Sequence, residues 1–251
     1  MKILGICTYK GTNYYGWQKQ VGYISVQSTI EECLSKVYDS PITIHGSGRT
    51  DAGVHAIRQY FHFVTDKEKD LNQLAYSLNK MLPDDIKIIE FSIVDDDFHA
   101  RYSAKQKIYE YHILLTNKDT FNYDLAYVCP FKLDIDLFKK ALDLFKGTHN
   151  FQDFTSKEED EGGFVRTIYN IETTEAGQLL IVKFTGNGFM RYQIRNMIGT
   201  ALNVAMGKES IEFINNHLDV DNKGREIVSY KSPACGLYLV DVVYWKQKCS
   251  I

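Results

Sequence analysis

The sequence predicts an α+β fold in two similar halves, and three observations carry this. Strand-like and helix-like segments alternate along all 251 residues with no low-complexity stretch. The segments up to about residue 95 run β-α-β-β-α-β, and the rest of the chain repeats that order less cleanly. No window approaches the roughly 18 apolar residues that a membrane span needs.

The elements follow in order. KILGICTY, residues 2–9, is a short apolar run and reads as a first strand; with one early lysine and a break into glycine and polar residues, it is not a signal peptide. VQSTIEECLSKVY, residues 26–38, places Val26, Ile30, Cys33, Leu34 and Val37 on one helical face, with Ser25 as N-cap. PITIH, residues 41–45, reads as a short strand, and IRQYFHFV, residues 57–64, alternates as a strand does. A helix over 70–82, capped by Asp70 and ended by Pro83, leads to the strand DIKIIEFSIV at 85–94.

In the second half, QKIYEYHILL at 106–115 is a strand and DIDLFKKALDLF at 134–145 a helix. Residues 164–186 form two strands about a turn at Gly177, and residues 189–206 form a helix closed by Gly207. GLYLVDVVYW at 236–245 is the final strand. The order in each half resembles a ferredoxin-like, or RRM-like, unit. The expected fold is therefore two such halves with mixed, mainly antiparallel sheets, divided into residues 1–104 and 105–251, with an active-site cleft between them.

Composition narrows the function. The five cysteines, Cys7, Cys33, Cys129, Cys235 and Cys249, form no CxxC pair, which argues for free thiols in a reducing compartment and against a disulfide framework or structural zinc. A net charge of −3 is unlike the basic balance usual in proteins that hold nucleic acid, so any such surface must be local. Arginine supplies candidates at Arg49, Arg58, Arg101, Arg166, Arg191 and Arg195.

The stretch GSGRTDAGVHA, Gly46 to Ala56, imitates glycine-rich phosphate motifs without matching them. A dinucleotide fingerprint would need a third glycine where Asp51 stands, and a phosphate loop would need lysine where Arg49 stands. An acidic residue would also repel a phosphate. The glycines instead let the backbone turn sharply and approach a neighbour closely, and what they present is Asp51. A metal site made of His45, His55 and Asp51 would have no dedicated further ligand, so no metal is expected. Farther on, Met190, Ile194, Met197, Ile198 and Ala201 make an apolar helix face, while Arg191 and Arg195 lie four apart on a neighbouring one. Like charges at that spacing repel, so something anionic is expected against them.

GSGRTDAGVHA resembles the signature of the TruA family of tRNA pseudouridine synthases. YKGTNYYGWQKQ, FHARYSAKQKIYEYHI, GTHNF, VRTI, GNGFMRYQIRNMIG and SPACGLYLVDVVY follow in that family's order. The resemblance implies an isomerase that detaches uridine at N1 and rejoins it through C5, with no cofactor. Asp51 is then the nucleophile, and Arg195 the cation that keeps it ionised in a closed cleft. Tyr109 would stack on the extruded base, Arg49 would hold the flipped geometry, and Leu237 would pack against the base site.

It further implies tRNA as partner, the anticodon stem-loop as target, a homodimer, a cytoplasmic location and no membrane association. Lys10, Ser47, Asn150 and Arg191 depart from the family's usual residues and bear, with the acidic stretch KEEDEGG, on which RNA is chosen. The alternatives are a relative acting on another structured RNA such as rRNA, and a non-catalytic RNA-binding protein of the same fold.

Overall fold

The computed structural model describes residues 1–116, 120–156, 158, 162–218 and 224–244. Most of KEEDEGG, Trp245 of the last expected strand and Cys249 lie outside them. The protein is α+β and divides into two compact units: Met1–Lys105 with the strand from Tyr238 onward, and Gln106–Leu237.

The first unit contains β1 (Lys2–Tyr9), α1 (Val26–Tyr38), β2 (His45–Gly46), β3 (His55–Val64), α2 (Leu71–Met81) and β4 (Ile86–Val94). β1 lies between β3 and β4, antiparallel to both, and β2 pairs with β3. Ser25 caps α1 through a reciprocal capping box with Ser28, and the Asp70 carboxylate accepts the Gln73 N–H to cap α2. Ile30, Leu34, Leu74 and Leu78 are buried, each stabilising the unit by about 1.5–3 kcal/mol.

PITIH departs from its expected strand form. Only His45–Gly46 joins a ladder, against His62 and Phe61. Side chains of α1 take the backbone groups a partner strand would otherwise satisfy: Ser35 Oγ accepts the Ile42 N–H, Glu31 accepts the Ile44 N–H, and Gln27 donates to the Ile44 carbonyl. β3 also differs from simple alternation, since all of Gln59–Phe63 is buried.

The second unit contains β5 (Ala104–Leu114, from Gln106 on), β6 (Tyr127–Val128), α3 (Ile135–Asp143), β7 (Gly147–Asn150), β8 (Val165–Ala176), β9 (Leu179–Gly186), α4 (Gln193–Ala205) and α5 (Ile211–Leu218). Its strands run in the order β5-β9-β8-β7, all antiparallel, with β6 parallel to β5. β8 and β9 form the expected hairpin, and Gly177 at its tip has φ +63°. α3 packs on α4, and Phe138 and Leu142 of α3 and Ile198 and Ala201 of α4 are essentially inaccessible to solvent.

α4 begins at Gln193 and not at Phe189, because Tyr192 has φ +65°, a left-handed conformation that no helix can contain. α5 is an element the sequence reading did not identify.

The last strand, β10 (Leu237–Tyr244), also departs from the division at residue 104. From Tyr238 onward it belongs to the first unit, where it pairs in parallel with β3 at Tyr238↔His55 and Leu239↔Ala56. A parallel neighbour requires a long crossover, and the whole second unit supplies it.

Candidate active site

Asp51 sits half-buried in the turn between β2 and β3, where the Val54 N–H donates to the Asp51 carbonyl at 3.1 Å. Gly53, at φ +78°, gives that turn its left-handed step. Residues of the first strand and the loop after it grip the turn from one side. The Tyr9 and Thr50 hydroxyls are 2.8 Å apart, the Trp17 N–H donates to the Thr50 carbonyl, and the Gly53 N–H donates to the Tyr14 carbonyl.

Two glycines make that grip close enough. A Cβ on Gly11 would lie 2.0 Å from the Val54 oxygen, and one on Gly16 2.3 Å from the Thr50 oxygen. From the other side, Ser47 donates to Gln59 Oε1, and Gln59 Nε2 donates to the Gly48 carbonyl. Within GSGRTDAGVHA itself, Gly46 serves the close approach expected of it, since a Cβ there would meet Trp17 Nε1 at 2.4 Å.

The histidines near Asp51 are engaged elsewhere. His55 is buried, its Nδ1 accepts the Gly11 N–H at 3.0 Å, and its ring stacks on Tyr238 at 4.6 Å. His45 lies against His62 and His99, with ring centroids 5.1 and 6.0 Å away. Among the described residues, no group of three His, Cys, Asp or Glu side chains is arranged to hold a metal ion. Arg49, two residues before Asp51 on the same loop, is exposed.

The second unit positions the other three predicted residues. Arg195, in the first turn of α4, is tied reciprocally to Ser232: its Nε donates to the Ser232 carbonyl at 2.8 Å, and the Ser232 N–H donates to the Arg195 carbonyl at 3.0 Å. The next residue, Pro233, accepts the Tyr111 hydroxyl at 2.8 Å, and burial pushes that phenol's pKa well up. Tyr109, on the same face of β5, is buried and meets Phe189 edge to face at 5.4 Å. Leu237, buried, closes the segment 232–237. Gly236 permits that segment to lie on β5, for a Cβ there would meet the Tyr111 ring and the His112 oxygen at 2.8 Å.

Thus Arg49 and Asp51 share one loop of the first unit, while Tyr109, Arg195 and Leu237 are linked through Tyr111 and residues 232–237 of the second. The anchors Gly11, Gly16, Trp17 and Thr50 were not identifiable as such from sequence, although the segment YKGTNYYGWQKQ that holds the first three is one of the family-like motifs.

The chain as a whole is similar to known proteins. A family model described as "tRNA pseudouridine synthase" matches residues 6–103 and 141–245. The tRNA pseudouridine synthase A of an Exiguobacterium strain is 39% identical over 98% of this chain and 98% of its own. Its counterpart from Mycoplasmoides gallisepticum is 38% identical over 94% of this chain and 89% of its own. A solved H/ACA ribonucleoprotein bound to a substrate RNA containing 2′-deoxyuridine matches 80% of this chain at 11% identity and TM-score 0.37, a distance at which it adds nothing to the assignment.

The protein is a pseudouridine synthase, an isomerase that converts uridine to pseudouridine. Within that class, the chain belongs to the tRNA pseudouridine synthase family.

Proposed function

We propose that the protein converts uridine to pseudouridine in the anticodon stem-loop of tRNA, with Asp51 as nucleophile. The observation that carries this reading is the grip on Asp51: a half-buried carboxylate on a turn bonded at Thr50 and Gly53 to the preceding loop. A turn held on both sides keeps a reacting group in one geometry through the reaction.

The bond from N1 to ribose C1′ breaks and a bond from C5 to C1′ forms, while C5 loses its proton and N1 gains one. Asp51 adds to C6 of the base or to C1′, or takes a proton on a glycal route. Arg195 keeps the carboxylate ionised against the desolvation of a closed site. Tyr109 offers the base an aromatic surface in place of its lost stacking, Leu237 packs against it, and Arg49 holds the flipped nucleotide. The protein acts as a homodimer in the cytoplasm, so that one tRNA is read by shape across two subunits.

The test is release of tritium from an unmodified tRNA transcript labelled at uracil C5, incubated with protein and chelator. Release that vanishes in Asp51→Asn, with folding and RNA binding kept, supports the nucleophile. Full release by Asp51→Asn removes it. Release from labelled rRNA but not tRNA transfers the activity to another RNA.

A further inference from the structure

Three cations surround one tyrosine in the second unit. Lys231 Nζ lies 4.2 Å from the centre of the Tyr192 ring, and the guanidinium carbons of Arg191 and Arg195 lie 4.7 and 5.3 Å from it. Arg191 Nη2 also donates to the Tyr192 hydroxyl at 2.9 Å. The ring face attracts each cation, but the cations repel one another. Arg191 and Lys231 are exposed, and neither pairs with a carboxylate among the described residues. In a chain of net charge −3, such a gathering of positive charge is a local feature.

The backbone adds to it. Tyr192 is the N-cap of the 13-residue α4 and supplies no side-chain cap, so the positive end of that helix dipole begins at the residue the cations surround. Tyr192 is held at φ +65°, a left-handed conformation unfavourable for a bulky residue, and this sets the ring among the arginines and Lys231. Gln193, the first residue of α4, is fully buried; its Oε1 accepts the Met190 N–H, and its Nε2 donor has no partner.

We propose that Arg191, Tyr192 and Lys231 form a binding site for a backbone phosphodiester of the RNA substrate. This rests on the reading that the chain acts on tRNA, and it goes further by naming residues that hold the strand. A phosphate oxygen supplies an anion to Arg191 and Lys231, and Tyr192 keeps both side chains aligned before the RNA arrives. The contact is to backbone and not to a base edge, so it positions RNA without reading its sequence.

The experiment measures the affinity of unmodified tRNA transcripts across a range of salt for wild type, Arg191→Gln and Lys231→Gln. Each neutralised phosphate contact steepens the fall of log affinity with log salt by about one. Each variant should therefore show a slope shallower by about one and bind several-fold more weakly at moderate salt. The loss should be equal for transcripts of different anticodon-stem sequence, and Lys231→Arg should restore the wild-type slope.

Wild-type slopes in both folded variants overturn the site, and so does a weakening confined to one RNA sequence. Thermal unfolding checks the folding of each exposed substitution. Tritium release by the wild-type protein separates the two readings: release with unchanged slopes overturns this site alone, and shallower slopes without release overturn the reaction alone.

Discussion

Gly16 and Thr50 meet backbone to backbone: a Cβ on Gly16, whose φ is +81°, would lie 2.3 Å from the Thr50 carbonyl oxygen. The Trp17 N–H bonds that same oxygen, so the segment after β1 and the residue before Asp51 share one fixed junction.

Gly16→Ala therefore carries two costs, while Gly22→Ala carries one. Gly22 has nearly the same φ, +82°, but a Cβ there meets nothing within 4 Å. Both substitutions should destabilise by about 1–3 kcal/mol from the left-handed backbone. Only Gly16→Ala should also displace Thr50 and lower turnover, by tenfold or more. Chemical denaturation with tritium-release kinetics checks this, and equal turnover in the two variants would separate the junction from catalysis.

His62 makes stability fall in acid. Burial first, then His99, His45 and Lys2, pushes its pKa from the ordinary 6.5 down to about 4. Its Nδ1 already accepts the Ala100 N–H at 3.2 Å, which requires that nitrogen unprotonated. The unfolded chain takes up the proton near pH 6.5 and the folded chain only near 4, so stability present above 6.5 is lost as pH falls through that window. The loss is on the order of 2 kcal/mol. His99, also lowered chiefly by burial, acts in the same direction. Urea unfolding at stepped pH should show the decline, and His62→Asn should flatten it.

Asp153 and His217 form a buried pair, 2.9 Å apart, and the other carboxylate oxygen accepts the Glu226 N–H. Removing the carboxylate leaves the His217 Nδ1 and the Glu226 N–H without their partner, so Asp153→Ala should destabilise by roughly 1–3 kcal/mol. Differential scanning calorimetry would measure it. A change under 1 kcal/mol would mean that water replaces the carboxylate at no cost.

Tyr109→Leu should lower turnover by about 10- to 100-fold, the equivalent of one lost base stack at 1–3 kcal/mol. Tyr109→Phe should keep most of it, since the edge-to-face contact with Phe189 needs only the ring. Single-turnover kinetics with saturating tRNA would separate these outcomes from a binding defect.

Much of this was legible in the sequence wherever local chemistry decided the outcome. Ser25 and Asp70 cap their helices as their types and positions suggest, and Gly177 and Gly207 take the positive φ that a hairpin tip and a helix end require. In GSGRTDAGVHA, Gly46 makes the close approach its residue type suggests, against Trp17.

What was illegible depended on distant partners. PITIH has a strand's composition, but Gln27, Glu31 and Ser35 claim its backbone. The 189–206 pattern is helical throughout, yet Tyr192 breaks it at the one residue that Arg191, Arg195 and Lys231 surround. α5 is only eight residues long, too short for its apolar period to stand out.

The placement of β10 governs how the protein is made. The ribosome releases β3 long before Tyr238 and Leu239, so the nascent first unit waits with one strand missing while the entire second unit is synthesised. Until then the His55–Ala56 end of β3 offers open hydrogen-bonding groups, and His55 lacks the ring it later stacks on. A ribosome stalled anywhere before residue 238 would leave an incomplete sheet that invites another chain's strand. Synthesis of the second half is thus a period of vulnerability for the first, in which chaperone binding would matter most.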